Sequence, residues 1–179
     1  MAANTALNAF HEGVYERLLA EISTKDDLEV RLGDTLDVKA SIGLVVITFL
    51  ATQTAYFLDK HPSGFPHGLQ IASAIFLAAA TIAAFIVLWP RNYILPLPES
   101  SGIDRAAELR EFYSQHEGVE TSTMLAQFVQ DEIGWAKIRI SANEKQNEAK
   151  SAWLQWSFYL TAIAMLTNIV TLFYFMHLF

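Results

Sequence analysis

The fold class that the sequence predicts is all-α: a polytopic membrane protein with three transmembrane helices and a cytoplasmic helical bundle. Three observations predict it. Three long stretches contain no Asp, Glu, Lys or Arg in their middle, and eleven of the twelve basic residues lie on one side of them. The segments between carry apolar residues at three- and four-residue spacing, with charges opposite.

Composition sets the frame. Of 179 residues, 53% are hydrophobic and 17% charged, with no cysteine and a net charge of −7. The charged share is well below the globular norm, and mean hydropathy is +0.26. These values exclude a disordered tail, a nucleic-acid binder held by bulk charge and a disulfide-stapled secreted module. The lack of cysteine also excludes thiolate-ligated zinc and cysteine nucleophiles.

The first uncharged stretch is Ala40–Leu58, nineteen residues between Lys39 and Asp59. The second is the near-continuous apolar run Leu69–Trp89, and the third extends from Ser151 towards Phe179. A helix of about 20 residues rises roughly 30 Å, the thickness of a bilayer's hydrocarbon core. Covering three such helices in a soluble core would take about 100 further residues. The first run begins behind an acidic leader and lacks a short apolar region followed by a cleavage site. The leader is therefore expected to stay attached, with the first span acting as its own insertion signal.

Lys60 alone lies between spans one and two, while Lys39, Arg91 and Lys150 flank the spans on the opposite side. Because basic residues are retained on the cytoplasmic side, the N-terminus and Arg91–Lys150 are expected in the cytoplasm. The Asp59–Gly68 turn and Phe179 are expected outside, the membrane being the inner one. The resulting organisation is 1–39, cytoplasmic N-terminal helices; 40–58, first span; 59–68, outer turn; 69–90, second span; 91–150, cytoplasmic Pro-rich segment and helices; and 151–178, third span.

Within the leader, Leu7, Phe10, Val14, Leu18 and Ile22 form an amphipathic stripe. Ser23, Thr24, Asp26 and Asp27 are cap candidates for a second helix through Leu28, Leu32 and Leu36 into the first span. Pro90, Pro96 and Pro98 stop the second span's helix and hold an extended segment. A short helix carrying Ala106, Leu109 and Phe112 follows a linker at Ser100–Gly102 and breaks at Gly118. From about Val119 the positions Leu125, Phe128, Val129, Ile133, Ala136 and Ile140 are helical again, and no proline interrupts the chain before the third span. A rod of about 60 residues would reach roughly 90 Å. The leader stripe and the Leu125–Ile140 stripe either pack on each other as a bundle or lie in the plane of the lipid. Their acidic polar faces disfavour the second arrangement.

Polar side chains inside spans mark either packing or function. Ser41, Thr48 and Thr52 share a face of the first span, Ala79/Ala83 and Ala80/Ala84 set small residues four apart in the second, and Thr161, Ala164, Asn168 and Thr171 share a face of the third. Small and weakly polar stripes allow close helix approach and interhelical hydrogen bonds. The alternative is that Thr161, Asn168 and Thr171 line a polar route in an oligomer. The absence of an acidic or basic residue in mid-span argues against a proton-coupled transporter or voltage sensor, and three spans cannot form two inverted repeats. At the cytoplasmic ends, Asp37 and Lys39 of the first span stand level with Glu148 and Lys150 of the third. Opposite charges at equal depth near low dielectric favour pairing, giving Lys39 with Glu148 and Asp37 with Lys150; otherwise the lysines snorkel to headgroups.

No catalytic constellation emerges. His11, His61, His67, His116 and His177 are scattered, and Asp59, His61 and His67 in the outer turn match no rigid ligand geometry. No phosphate-cradling glycine loop, HExxH or GxSxG occurs. No enzymatic activity, cofactor or metal is expected.

The stretch Arg31–Gly43, RLGDTLDVKASIG, resembles the approach to the first span in small bacterial proteins of the SLATT superfamily, nearest to the branch named for the Pycsar effector. The likeness continues through the short outer turn, the Leu88-Trp89-Pro90 end of the second span, the helical insert and the Asn143, Asn147, Lys150 run, covering Leu28 to Val170. It implies a membrane effector of antiphage defence that damages or permeabilises the inner membrane when a partner senses a nucleotide signal. Many SLATT members have two spans where this chain has three, and no cyclic-nucleotide-binding domain is recognisable, so sensing would fall to the cytoplasmic helices or another protein. A homo-oligomer in the lipid bilayer is expected, since three helices cannot enclose a conduit alone. A non-conducting scaffold or accessory subunit is the competing reading.

Overall fold

The computed structural model describes residues 2–60, 64–91, 93–94, 104, 107–109, 111–112 and 121–176, and side chains within these from residue 14 onward, apart from 15–16 and 121–125. Three helices dominate: α1, Ala2–Lys60; α2, Phe65–Leu88; and α3, Thr121–Met176. No strand occurs among the described residues, and described positions between 104 and 112 are also helical. All three long helices contain a window long and apolar enough to cross a membrane. The chain is an all-α membrane protein.

The boundaries follow from local chemistry. Gly64 precedes α2 at φ 89°, a left-handed backbone that glycine adopts without steric cost. Pro66 then occupies the first turn, where its missing N–H is no loss. Pro90 comes two residues after α2 ends, because it cannot continue the ladder. The expected helix start at Ser23–Asp27 is absent, and α1 runs unbroken from Ala2. Thr24 does not cap: its hydroxyl donates to the Ala20 carbonyl one turn back, at 2.8 Å. That back-bond lets a threonine sit inside a helix. Asp26 is buried and engaged by a residue far along the chain.

The chain divides into two compact units. The first comprises Met1–Arg31 and Asn92–Lys145. In it Ala136 and Ile140 of α3 are buried, as is Leu109, whereas Val129 and Ile133 are half-buried and Phe112 is exposed. From the leader stripe, Ile22 is half-buried and Val14 and Leu18 are exposed; the side chains of Leu7, Phe10 and Leu125 lie outside the described residues. Leu28 and Leu32, on the run into the first span, are exposed, and Leu36 is buried. Asn143 clamps Ile94, six residues past the end of α2. Its Oδ1 accepts from the Ile94 N–H and its Nδ2 donates to the Ile94 carbonyl, both at 3.1 Å.

The second unit comprises Leu32–Arg91 and Gln146–Phe179. Contacts fix its topology. Thr54 meets Asn168 and Asp37 meets Lys150, so α1 and α3 run parallel. Gln70 meets Thr171 and Ser157 meets Ala80, so α2 runs antiparallel to α3. Buried positions on α1 are Gly33, Leu36, Ala40, Gly43, Ile47, Leu50 and Thr54; on α3 they are Asn147, Lys150, Leu154, Ser157, Ala164, Asn168 and Thr171. Alternating steps of three and four keep one face of a helix against its neighbour. Two apolar clusters fill this seam: Ile47, Leu50, Leu77, Ala80 and Ala164, and Leu36, Ala40, Val87 and Leu154. Ala40, Ala80 and Ala84 are fully buried, and Phe158 lies 3.5 Å from where a Cβ on Gly43 would be, so small residues set the helix spacing.

Polarity in this unit is inverted relative to a water-soluble core. Ile42, Phe49, Ile75, Ile82, Phe85, Leu166 and Phe173 are exposed, whereas Thr54, Gln70, Ser73, Ser157, Asn168 and Thr171 are buried. Hydrocarbon rewards both choices, since it solvates the apolar exterior and leaves polar groups only each other as partners. Aromatic residues mark both ends of the bundle. Trp89, Trp153 and Trp156 are exposed at one end, and Tyr56, Phe57, Phe65, Tyr174 and Phe175 group at the other. Such belts sit at the two membrane–water interfaces.

Candidate functional site: a polar seam at membrane depth

One end of the seam is an ion pair between α1 and α3. Lys150 is 2% exposed, and its Nζ donates to both Asp37 oxygens at 2.7 and 2.8 Å. Asp37 keeps 40% of its side chain open. The pair is thus asymmetric, a sequestered ammonium held by a carboxylate that still reaches solvent or headgroups. The surrounding pattern Asp37-x-Lys39-Ala40-Ser41 divides its tasks along the helix. Asp37 binds Lys150, Lys39 points outward, Ala40 sits at full burial, and the Ser41 hydroxyl donates to the Asp37 carbonyl at 2.9 Å.

Lys39 and Glu148 are not brought together. Both are exposed, and no ion pair joins them among the described residues. The two-residue offsets from Asp37 and Lys150 rotate them about 200° away from the seam, since each residue turns about 100° around its helix. A double-mutant cycle on Lys39→Ala and Glu148→Ala should therefore be additive, each single change shifting stability by no more than about 0.5 kcal/mol. A coupling energy of about 1 kcal/mol or more in thermal or detergent denaturation would contradict this.

Further along, Ser157 Oγ donates to the Ala80 carbonyl at 3.0 Å. Beyond it is the densest polar layer. The Asn168 carboxamide faces Thr54 Oγ1 with Nδ2 at 3.1 Å and Oδ1 at 3.2 Å, Thr54 Oγ1 lies 3.3 Å from Ser73 Oγ, and Ser73 Oγ donates to the Ala164 carbonyl at 3.3 Å. This layer ties all three helices. One turn outward, Gln70 Nε2 donates to Thr171 Oγ1 at 2.7 Å, and Thr171 Oγ1 donates to the Thr167 carbonyl at 2.9 Å. Gln70 Oε1 is buried without a hydrogen-bond partner. Thr161 is half-buried and returns its hydroxyl to the Ser157 carbonyl at 2.7 Å. The predicted stripe Thr161, Asn168, Thr171 therefore faces the other helices of its own chain. On α1, by contrast, Ser41, Thr48 and Thr52 are exposed, and each donates to the carbonyl four residues back.

The first unit contains a second buried ion pair. Arg139 Nε lies 3.0 Å from Asp26 Oδ2, with 11% and 4% of the side chains exposed, and Asp26 Oδ1 has no hydrogen-bond partner. This pair was not anticipated, although its signal was present. Asp26–Arg139 and Asp37–Lys150 have the same separation of 113 residues. In parallel helices a pair repeats at constant separation, and the step of eleven residues from Asp26 to Asp37 is close to three whole turns. Gln70 and Ser157 were also missed as seam residues. Of the outer-turn candidates, Asp59 is exposed, His67 is half-buried, and His61 lies outside the described residues, as do His116 and His177 and the side chain of His11.

The arrangement binds helices to each other through hydrogen bonds in a zone without water. Comparison with known proteins places it in a family. The family model for the Pycsar effector protein domain matches residues 26–177, beginning at the Asp26 that pairs with Arg139 and extending through the third span. No curated protein and no solved structure matches. The chain belongs to the Pycsar effector protein domain family, the transmembrane effectors of antiphage defence.

Proposed function

We propose that this protein permeabilises the bacterial inner membrane when a partner senses a nucleotide signal, acting as a homo-oligomer and without catalysis. The single observation that carries the reading is the Thr54–Ser73–Asn168 layer at membrane depth. Polar groups are already inside the hydrocarbon, held by interhelical bonds worth on average about 0.6 kcal/mol each. Rotation of α3 that exchanges these partners between copies would present Thr161, Asn168 and Thr171 to a shared axis at small cost, and ions would leak along them. The basic-residue asymmetry supports an N-terminus in the cytoplasm and a C-terminus outside. A conduit requires several subunits.

Induced expression with a membrane-potential dye tests this. The wild-type chain should depolarise cells once the signal is supplied, and Asn168→Leu should abolish depolarisation at equal membrane abundance. A signal-treated wild type that leaves the potential intact would overturn the reading. A second reading, a non-conducting scaffold or accessory subunit, is favoured by the engagement of Asn168 and Thr171 within one chain. It expects no dye response from either variant.

A further inference from the structure

The second unit carries an open groove between α1 and α3, of about 610 Å³, lined by Phe49, Gln53, Tyr56, Met165, Asn168 and Leu172 among others. Its walls are mostly apolar, and its polar lining residues are Thr52, Gln53 and Asn168. Of the Ser, Thr and Gln side chains of residues 40–58, Ser41, Thr48 and Thr52 turn back to their own helix and Thr54 bonds Asn168. Gln53 is exposed and makes no hydrogen bond among the described residues.

Depth makes that omission costly. Gln53 lies fourteen residues past Lys39 and seven before Lys60, about 21 Å and 10 Å along the helix axis, within a hydrocarbon thickness of about 30 Å. It stands next in sequence to Thr54, whose layer is hydrogen-bonded across the bundle. In the Gln70–Thr171 layer, a turn nearer the Lys60 end, the buried Gln70 carboxamide pairs its Nε2 with Thr171 and leaves its Oε1 unpaired. A carboxamide in lipid without a partner forfeits several kilocalories of solvation. An acyl chain can fill the groove but offers Gln53 neither a donor nor an acceptor.

We propose that the groove receives a second copy of this chain, with Gln53 of each copy hydrogen-bonded to Gln53 of the other. The argument is charge complementarity. A carboxamide carries a partial negative end and a partial positive end. Two of them related by a two-fold axis therefore satisfy each other through a reciprocal pair of N–H···O bonds. Two copies inserted in the same direction are related by an axis along the membrane normal, so a residue on that axis meets its own counterpart at equal depth. Phe49 and Tyr56, a turn on either side of Gln53, supply the apolar contact that seals the bonds from lipid. This contact concerns the oligomer that permeabilisation requires, but it is measured without reference to any leak, so the two ideas fail separately.

The native chain lacks cysteine, which makes site-directed oxidation clean. Phe49→Cys and Tyr56→Cys chains, oxidised in native membranes, should run as covalent dimers, while Ile82→Cys on the exposed side of α2 should remain monomeric. Förster transfer between labelled copies, titrated against lipid, should show dissociation about ten-fold easier in Gln53→Leu and little changed in Gln53→Asn, two interhelical bonds accounting for a factor of that size. Gln53→Leu removes no bond within the chain, so its folding is preserved. Equal crosslinking at position 82, or unchanged association of Gln53→Leu, overturns the proposal; a lipid-filled groove on a monomer would give both no crosslink and no transfer.

Discussion

Replacing Asp37 by alanine should destabilise the membrane bundle by about 3–5 kcal/mol, because it leaves the 2%-exposed Lys150 ammonium without its carboxylate. The reciprocal change should cost much less. Lys150→Met removes the buried charge and leaves Asp37, 40% exposed, to be solvated, so a loss of about 1–2 kcal/mol is expected from the pair's own hydrogen bonds. The double variant Asp37→Leu with Lys150→Met should recover most of the Asp37→Ala loss, because an ion pair replaced by packed apolar groups is often energetically neutral. Unfolding in mixed micelles of increasing denaturing detergent measures all three. The ordering is the test. If Lys150→Met were as damaging as Asp37→Ala, burial of the ammonium would not be the controlling cost, and the seam's mouth would have to be understood through packing alone.

Much of the fold could be read from the sequence because bilayers impose few solutions. Uncharged stretches of membrane length, Pro90 at the end of the second span and the uninterrupted run into the third all have single physical readings, and α2 and α3 follow them. The interior was harder to read. Apolar periodicity finds buried faces in water, but in hydrocarbon the rule inverts: the buried face of α3 is Asn147, Lys150, Ser157, Asn168 and Thr171 as much as Leu154 and Ala164. A search for apolar stripes therefore passes over it. The Thr161, Asn168, Thr171 face was visible because asparagine and threonine stand out in a span, yet whether it faces a neighbouring helix or a shared axis depends on tertiary contacts that no local pattern encodes. The break expected near Ser23 failed for a related reason. Ser, Thr and Asp favour caps only when a helix has cause to end, and burial of Asp26 against Arg139 gives α1 a reason to continue. Of the two charge pairs predicted at the membrane boundary, Asp37 with Lys150 is in contact and Lys39 with Glu148 is not. Equal depth selects candidates, and rotation about the helix axis decides among them.

The second large effect belongs to Asp26 and Arg139. Here both partners are buried, at 4% and 11% of their side-chain surface, so neither retains solvent as a substitute. Asp26→Ala and Arg139→Met should each cost about 3–5 kcal/mol, in contrast to the lopsided outcome at Asp37 and Lys150. Asp26→Asn discriminates between charge and hydrogen bonding. It keeps an acceptor for Arg139 Nε and adds an amide donor, but it removes the negative charge. Loss comparable to Asp26→Ala would show that neutralising the guanidinium is what matters; near-wild-type stability would show that one acceptor suffices. The unpartnered Asp26 Oδ1 favours the first outcome, since a carboxylate with an idle oxygen contributes chiefly through its charge. Amide hydrogen exchange supplies the readout. Protection should fall around Asp26 and across Ala136–Asn143 of the first unit, to which the pair, the buried Ala136 and Ile140 and the Asn143 clamp on Ile94 all belong. Exchange at Thr54, Ser73 and Asn168, which belong to the other unit, should change less. Uniform loss of protection through both units would mean that the two open as one cooperative body, and that a disturbance at Arg139 is felt directly by the membrane seam.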